Sequence, residues 1–361
     1  MSDFARARGI TTLERLNETH LQQIEAELNE LAQRTPIALV LPCHAADLHA
    51  PALAHIAEEL SGAEFLKELV LTINGSVAGP LPQWAGRMTV LWRDTNVREV
   101  PTGSGKGGNV AAAFSYLQNN TDCAIYATQD CDVISFRRSD LARLCYALAH
   151  PRLGFRFAKM YQSRATTRLY GRVGRLFVAP LLAALVEVAG PLRLIGFLRS
   201  FHHSLSGEVA LTREVASALP ASNGWALEIG QLCAVFRSVD SSKICEVEGS
   251  AGYDHRHHPA GPVLAGMATE IGSELFTQLA AEGLVDSRGF RSALHGAFFR
   301  ETERAILQSE KLARINALPF DEAAERELAS LFGSQLANLP LASAAPTSAS
   351  AALERRGSSS A

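Results

Sequence analysis

The stretch Cys123-Ala-Ile-Tyr-Ala-Thr-Gln-Asp-Cys-Asp-Val133 carries the reading from which the fold follows. Cys123 to Thr128 are apolar or small, as in a strand buried on both faces, and the run ends in two carboxylates, Asp130 and Asp132. Parallel sheets present their ligand sites in this way, at the carboxyl ends of buried strands. The pattern recurs upstream. Ile37–Leu41 reads as a strand ending at Pro42-Cys43-His44, Leu69–Ile73 as another ending at Asn74-Gly75, and Met88–Trp92 as a third. Residues 50–60 and 108–118 carry helical patterns between them. Strand and helix therefore alternate, which predicts an α/β fold with a mostly parallel sheet and helices on both faces.

Ahead of the first strand, Leu13, Leu16, Leu21, Ile24, Leu28 and Leu31 recur near a helical period, predicting one amphipathic helix over Thr11–Gln33 that Pro36 stops. Past residue 150 the alternation gives way to stretches that read as mainly helical, over 164–184, 264–281 and 289–316. The closing LASAAPTSASAALERRGSSSA lacks a large apolar face and reads as a disordered tail. The expected divisions are 1–35 as an N-terminal helical segment, 36–260 as the sheet domain, 261–338 as a C-terminal helical region and 339–361 as the tail.

Of the 361 residues, 47% are hydrophobic and 20% charged, a composition that supports a large core and excludes a disordered chain. A formal net charge of -3 gives no global attraction to nucleic acid or acidic membranes, so anion binding must be local. Cys43, Cys123, Cys131, Cys145, Cys233 and Cys245 form no CxxC pair, which predicts neither a zinc site nor a disulfide framework. The N-terminus lacks the apolar core of a signal peptide, and no stretch reaches the ~18 apolar residues of a membrane span, so a cytoplasmic protein is expected.

Several segments can carry chemistry. Asp-x-Asp after a buried strand can hold a hard divalent ion that bridges the phosphates of a nucleotide, though alone it also fits a turn and helix cap. Thr102-Gly-Ser-Gly-Lys-Gly-Gly-Asn109 is not a Walker A loop, since position 100 is Val and no Ser or Thr follows Lys106. Such a loop still binds anions through backbone N–H groups, with Lys106 as a point charge; a plain surface loop is the alternative. Residues 151–186 contain Arg152, Arg156, Lys159, Arg164, Arg168, Arg172 and Arg175 and no acid. The four-residue spacing of Arg164, Arg168 and Arg172 suits one face of a helix, either solvated or receiving a small anion. In Gly252-Tyr-Asp-His-Arg-His-His258, the first imidazole can complete a metal site, and mixed oxygen and nitrogen ligands suit Mn²⁺ as well as Mg²⁺; alone, the cluster equally fits an exposed polar loop. Ser206-Gly-Glu208 and Trp225-Ala-Leu-Glu228 each put a carboxylate in apolar surroundings, where it needs a partner: a sugar hydroxyl, a cap or an ion pair.

Together LVLPCH (39–44), GKGGN (105–109), DCDV (130–133), YGRVGRLFVAPLL (170–182), SLSGEVA (204–210), WALEIG (225–230) and YDHRHH (253–258) resemble the glucosyl-3-phosphoglycerate synthases and their mannosylglycerate-forming relatives. These are retaining glycosyltransferases of the GT-A fold, a Rossmann-like nucleotide-sugar-binding sheet. The resemblance implies that Pro42, His44, Asn74 and Lys106 surround the nucleotide, with Asp130 toward its uracil or ribose. It also implies that Asp132 and His255 bind Mg²⁺ or Mn²⁺, and that Leu205, Ser206 and Glu228 hold the donor sugar. Gly171, Arg172 and Gly174, with Tyr253 and His257, would receive the phosphoglycerate. Glu228, Lys106 and Asp132 are the residues on which catalysis would rest. Some relatives have Thr where Gly174 stands and Arg where Tyr253 stands. The implied partners are a nucleotide-sugar donor, a small anionic acceptor and a second copy in a homodimer, with neither nucleic acid nor membrane. Transfer of mannose, or to free glycerate, is the neighbouring reading. A nucleotidyltransferase and a non-catalytic sugar-nucleotide-binding module are the readings from other classes.

Overall fold

A computed structural model describes residues 9–17, 20–76, 79–93, 105–220, 224–256, 259–285 and 289–339. Among these residues the strands are β1 (Thr11–Leu13), β2 (Ile37–His44), β3 (Leu66–Asn74), β4 (Thr89–Arg93), β5 (Ile125–Thr128), β6 (Phe157–Tyr161), β7 (Val209–Thr212) and β8 (Ile244–Glu248). They form one sheet in the order β1-β8-β6-β7-β5-β2-β3-β4, parallel except for β7. β2, β3, β4 and β5 stand where the apolar runs predicted strands.

Along β2, Ile37, Leu39, Leu41 and Cys43 enter one core with Leu28 of α1 (Leu21–Ala32), Ile56 of α2 (Pro51–Leu60) and Leu141 of α4 (Arg138–Ala149). The intervening Ala38 and Val40 enter the other core with Phe114 of α3 (Gly105–Asn120). Each strand thus buries alternate residues on opposite faces, which is why these segments read as continuous apolar runs. The second core continues through α5 (Ala179–Ala189), α6 (Arg193–Leu198), α7 (Arg213–Ala218) and α8 (Leu227–Ser238) into α9 (Pro262–Ala281), α10 (Phe290–Ile315) and α11 (Glu322–Asn338). All six cysteines are buried and unbridged.

Two expectations are corrected. Thr11–Gln33 is not one helix: Thr11–Leu13 is a strand on β8, and α1 starts at Leu21. The open edge of β8 outweighs the helical period, because Thr12 Oγ1 donates to Glu246 (3.1 Å) and Arg15 N to Glu248 (2.8 Å). Nor is the segment from Arg164 helical before Arg172. Ala165 and Leu169 form an isolated bridge, Gly171 sits at φ +68°, and the helix enters as a π turn over Gly174–Val178. Ala179 N–H bonds Gly174 O there, and Pro180, which lacks an N–H, cannot supply the α bond one turn back. Arg164, Arg168 and Arg172 are therefore not a helical stripe.

β6, β7 and β8 were not legible in the sequence. β7 matters most for the site, because its reversed direction brings the residues just before Val209 to the edge where β5 ends.

Candidate active site

A cavity of about 510 Å³ opens at the carboxyl ends of β2, β3 and β5. His44 ends β2 and Asn74 ends β3, while Pro42 pairs with Thr72 between them. The buried Asn109 amide, in the first turns of α3, donates to Cys43 O (3.1 Å) and Asn74 Oδ1 (3.0 Å). One side chain thereby ties two strand ends to the start of the helix that carries Lys106.

Lys106 Nζ lies 2.6 Å from Asp130 Oδ1 and 2.6 Å from Glu228 Oε1. Burial alone would lower the pKa of Lys106, but the two carboxylates outweigh it and raise it, so the ammonium stays charged. In the same way burial would raise Asp130, and Lys106 overrides it and holds that carboxyl below its ordinary value. Gly207 closes over this pair, since a Cβ there would overlap the Asp130 carboxylate and Lys106 Nζ. Thr128 Oγ1 fixes the loop by donating to Gly207 O at 2.6 Å.

Beneath it, buried Lys159 donates to Ser206 O, and burial pushes its pKa down to about 8 against the pull of Glu228 and Glu208. Ser206 Oγ donates to Glu208 (2.6 Å), so this hydroxyl is spent inside the protein. Leu205, one residue earlier, lines the cavity.

Asp132 meets His255 because Val133 and His255 form a bridge and Ile134 N–H bonds Asp254 O at 2.9 Å. His255 Nδ1 stands 3.9 Å from Asp132 Oδ2. Burial, and next the Asp130 charge, push the Asp132 carboxyl up to about 7. A carboxylate whose charge is opposed by its surroundings, beside an imidazole at an open cavity, fits a divalent cation. In this state Nε2 of His255 accepts from Arg164 (3.0 Å) and Nδ1 donates to Arg256 O (2.6 Å), so the nitrogen that takes a metal must give up its present partner.

The opposite wall is basic. Arg164, Gly171, Arg172 and Gly174 line the cavity there, with His203 behind the two glycines and Tyr253 below. Tyr253 is buried, and its hydroxyl donates to Glu208 Oε1 at 2.8 Å. The turn that follows is braced from the C-terminal helices: Arg175 Nη1 reaches Glu325 of α11 (2.5 Å) and Ser309 of α10 (2.8 Å), and Phe177 packs on Phe298 and Phe332.

No family model matches the chain. A glucosyl-3-phosphoglycerate synthase of Persephonella marina is 32% identical over 92% of this chain and 88% of its own length. This chain belongs to the glucosyl-3-phosphoglycerate synthase family. A second member, from Methanococcoides burtonii, is 27% identical over 77% of this chain and 74% of its own. The Mycobacterium tuberculosis synthase, crystallised with Mn²⁺, UDP-glucose and phosphoglyceric acid, has 24% identity and a TM-score of 0.59, covering 77% of this chain and 89% of that one. At that identity the likeness bears on the fold, which is the expected GT-A glycosyltransferase fold.

Of the residues singled out from the sequence, Pro42, His44, Asn74, Lys106, Asp130, Asp132, Gly171, Arg172, Gly174, Leu205, Glu228, Tyr253 and His255 line one cavity. Ser206 lies behind it. His257, and residues 102–104 of the glycine loop, lie outside the described residues. Asn109, Lys159, Arg164 and His203 were given no individual role. For Asn109 the signal was its place at the end of GKGGN. For Lys159, a lysine within the apolar run FAKMY (157–161) was the sign that it is buried with partners.

Proposed function

We infer that this metal-dependent glycosyltransferase moves glucose from UDP-glucose to 3-phosphoglycerate, with retention at the sugar carbon, forming glucosyl-3-phosphoglycerate. The observation that carries this reading is one cavity with two walls. One holds Lys106 between Asp130 and Glu228 beside Asp132 and His255; the other presents arginines and glycines, in a chain of the synthase family.

Asp132 and His255 would hold Mn²⁺ or Mg²⁺, and such a cation offsets the charge that develops on the leaving diphosphate. Lys106, kept protonated by its two carboxylates, adds a fixed ammonium near the same oxygens. Glu228, placed by the first turn of α8 and bonded to Lys106, orients the sugar. Asn109 holds the His44 and Asn74 strand ends for the nucleoside. Arg172 and the backbone at Gly171 and Gly174 receive the anionic acceptor on the face from which its hydroxyl attacks. By the same resemblance the protein works in the cytoplasm as a homodimer and makes a compatible-solute precursor. Among the described residues no helix is long and apolar enough to cross a membrane.

The test is a mass-spectrometric screen of purified protein with Mn²⁺ or Mg²⁺, a panel of nucleotide sugars, and 3-phosphoglycerate or glycerate. Glucosyl-3-phosphoglycerate is the expected product. Absence of any glycosylated acceptor, or release of pyrophosphate from a nucleoside triphosphate, would sink the reading.

A further inference from the structure

Arg164 differs from the other cations around the cavity. Lys106 is paired with Asp130 and Glu228, Arg175 with Glu325 and Arg256 with Asp47. Arg164 instead lies 4.5 Å above the Tyr253 ring centroid and donates from Nη1 to His255 Nε2 at 3.0 Å. No carboxylate of the described residues lies within ion-pair distance of it. A nitrogen that accepts this bond carries no proton, so a half-buried guanidinium faces the cleft with an aromatic ring and an imidazole lone pair as partners.

Its surroundings form a built wall. A Cβ on Gly171 would touch the Arg164 stem at 3.3 Å and stand 4.0 Å from His203 Nε2, and one on Gly174 would stand 3.9 Å from the same imidazole. His203 Nδ1 is buried without a hydrogen-bond partner. Burial, then the charges of Arg164 and Lys159, hold this imidazole well below its usual range, so it stays neutral beside the arginine. An anion arriving between them would meet one uncompensated cation and one neutral ring.

We propose that Arg164 receives the carboxylate of the acceptor, with Tyr253 as the positioning residue that holds its guanidinium in place. This rests on the acceptor reading above and deepens it. The carboxylate is chosen over the phosphate because Arg164 contacts His255 and so stands at the metal edge of the cleft, the side on which the acceptor's hydroxyl must meet the sugar. In 3-phosphoglycerate the carboxylate is bonded directly to the carbon that bears the attacking hydroxyl, whereas the phosphate is further out. A guanidinium offers two parallel N–H donors that match a carboxylate. Tyr253 is suited to carry it: its ring is fixed from behind by the hydrogen bond to Glu208, itself held by Ser206.

The test uses the full chain with Mn²⁺ and compares Arg164→Met, Tyr253→Leu and Tyr253→Phe by initial rates, with calorimetry to confirm folding. Arg164→Met should raise the KM for 3-phosphoglycerate roughly a hundredfold, while the Kd for UDP-glucose moves less than about twofold. Its preference for 3-phosphoglycerate over glycerol 3-phosphate, which lacks the carboxylate, should collapse. Its preference over glycerate, which lacks the phosphate, should persist. Tyr253→Leu should raise acceptor KM about tenfold with little change in kcat, and Tyr253→Phe, which keeps the ring under the guanidinium but loses the bond to Glu208, should raise it by less than Tyr253→Leu. Unchanged acceptor KM in Arg164→Met, or a rise in donor Kd instead, overturns the proposal; so does a collapse of the glycerate preference, which would put Arg164 on the phosphate. If wild-type protein does not use 3-phosphoglycerate, the acceptor reading itself falls; wild-type transfer with an indifferent Arg164→Met removes only this assignment.

Discussion

On the wall built by α3, β5 and α8, one ammonium sits 2.6 Å from each of two carboxylates. On the facing wall, residues 164–174 bring Arg164, Arg168 and Arg172 and no acid at all. The first wall has more carboxylates than cations and suits a ligand that arrives with its own divalent cation. The second brings only positive charge along its own segment and suits a ligand that arrives as an anion. Pairing also sets rigidity: Lys106 is held from two sides in a fixed place, whereas Arg164 rests on a ring and a histidine.

Lys106→Met tests the first wall and has the largest expected effect. Removing the cation leaves Asp130 and Glu228 facing each other with little water, so kcat should fall on the order of 10³-fold and stability by about 3 kcal/mol. Adding Glu228→Gln should restore much of the stability, measured by denaturant melts, without restoring turnover. A single variant as stable as wild type would mean that the two carboxylates are not confined as described.

Asp132 sharpens the same wall through pH. Its carboxyl is raised to about 7, so below that pH it carries a proton that a metal must displace. Mn²⁺ affinity measured by calorimetry should therefore rise about tenfold per pH unit up to 7 and level off above it. A flat profile between pH 5.5 and 8 would show that the carboxyl is already ionised.

The smallest effect belongs to the basic wall. Glu325→Gln weakens the brace on Arg175, at 2.5 Å in this structure, and should cost about 1 kcal/mol of stability. Acceptor KM should rise a few-fold with donor KM unchanged. If both move together, α11 supports the whole cleft rather than one wall.

The strands that end at the Lys106 wall were legible because residues buried on both faces of a parallel sheet must be apolar throughout. IALVLPCH and CAIYATQDCD announce both the strand and the polar groups at its end. The basic wall reads differently in the sequence. Four-residue arginine spacing has the helical period, yet the chain turns back on itself between the bridged Ala165 and Leu169 and enters a helix only at Arg172. The strand on β8 was misread in the same way, because local periodicity does not register an open sheet edge waiting elsewhere in the chain.

The sequence by itself determined the alternating α/β core, the acidic pair after β5, the absence of local acids near the arginines, and the family. These depend on residue type and order along the chain. Only the tertiary structure decided which charges meet. Lys106 reaches Glu228 across 122 positions and Arg164 reaches His255 across 91. β7 runs backward to set Gly207 on Asp130, and Val133 pairs with His255 to bring Asp132 to its imidazole. Such pairings follow from the order and direction of strands in the sheet, which many sequences of the same local pattern could arrange differently. The role of each ionisable group therefore depended on where the sheet placed it.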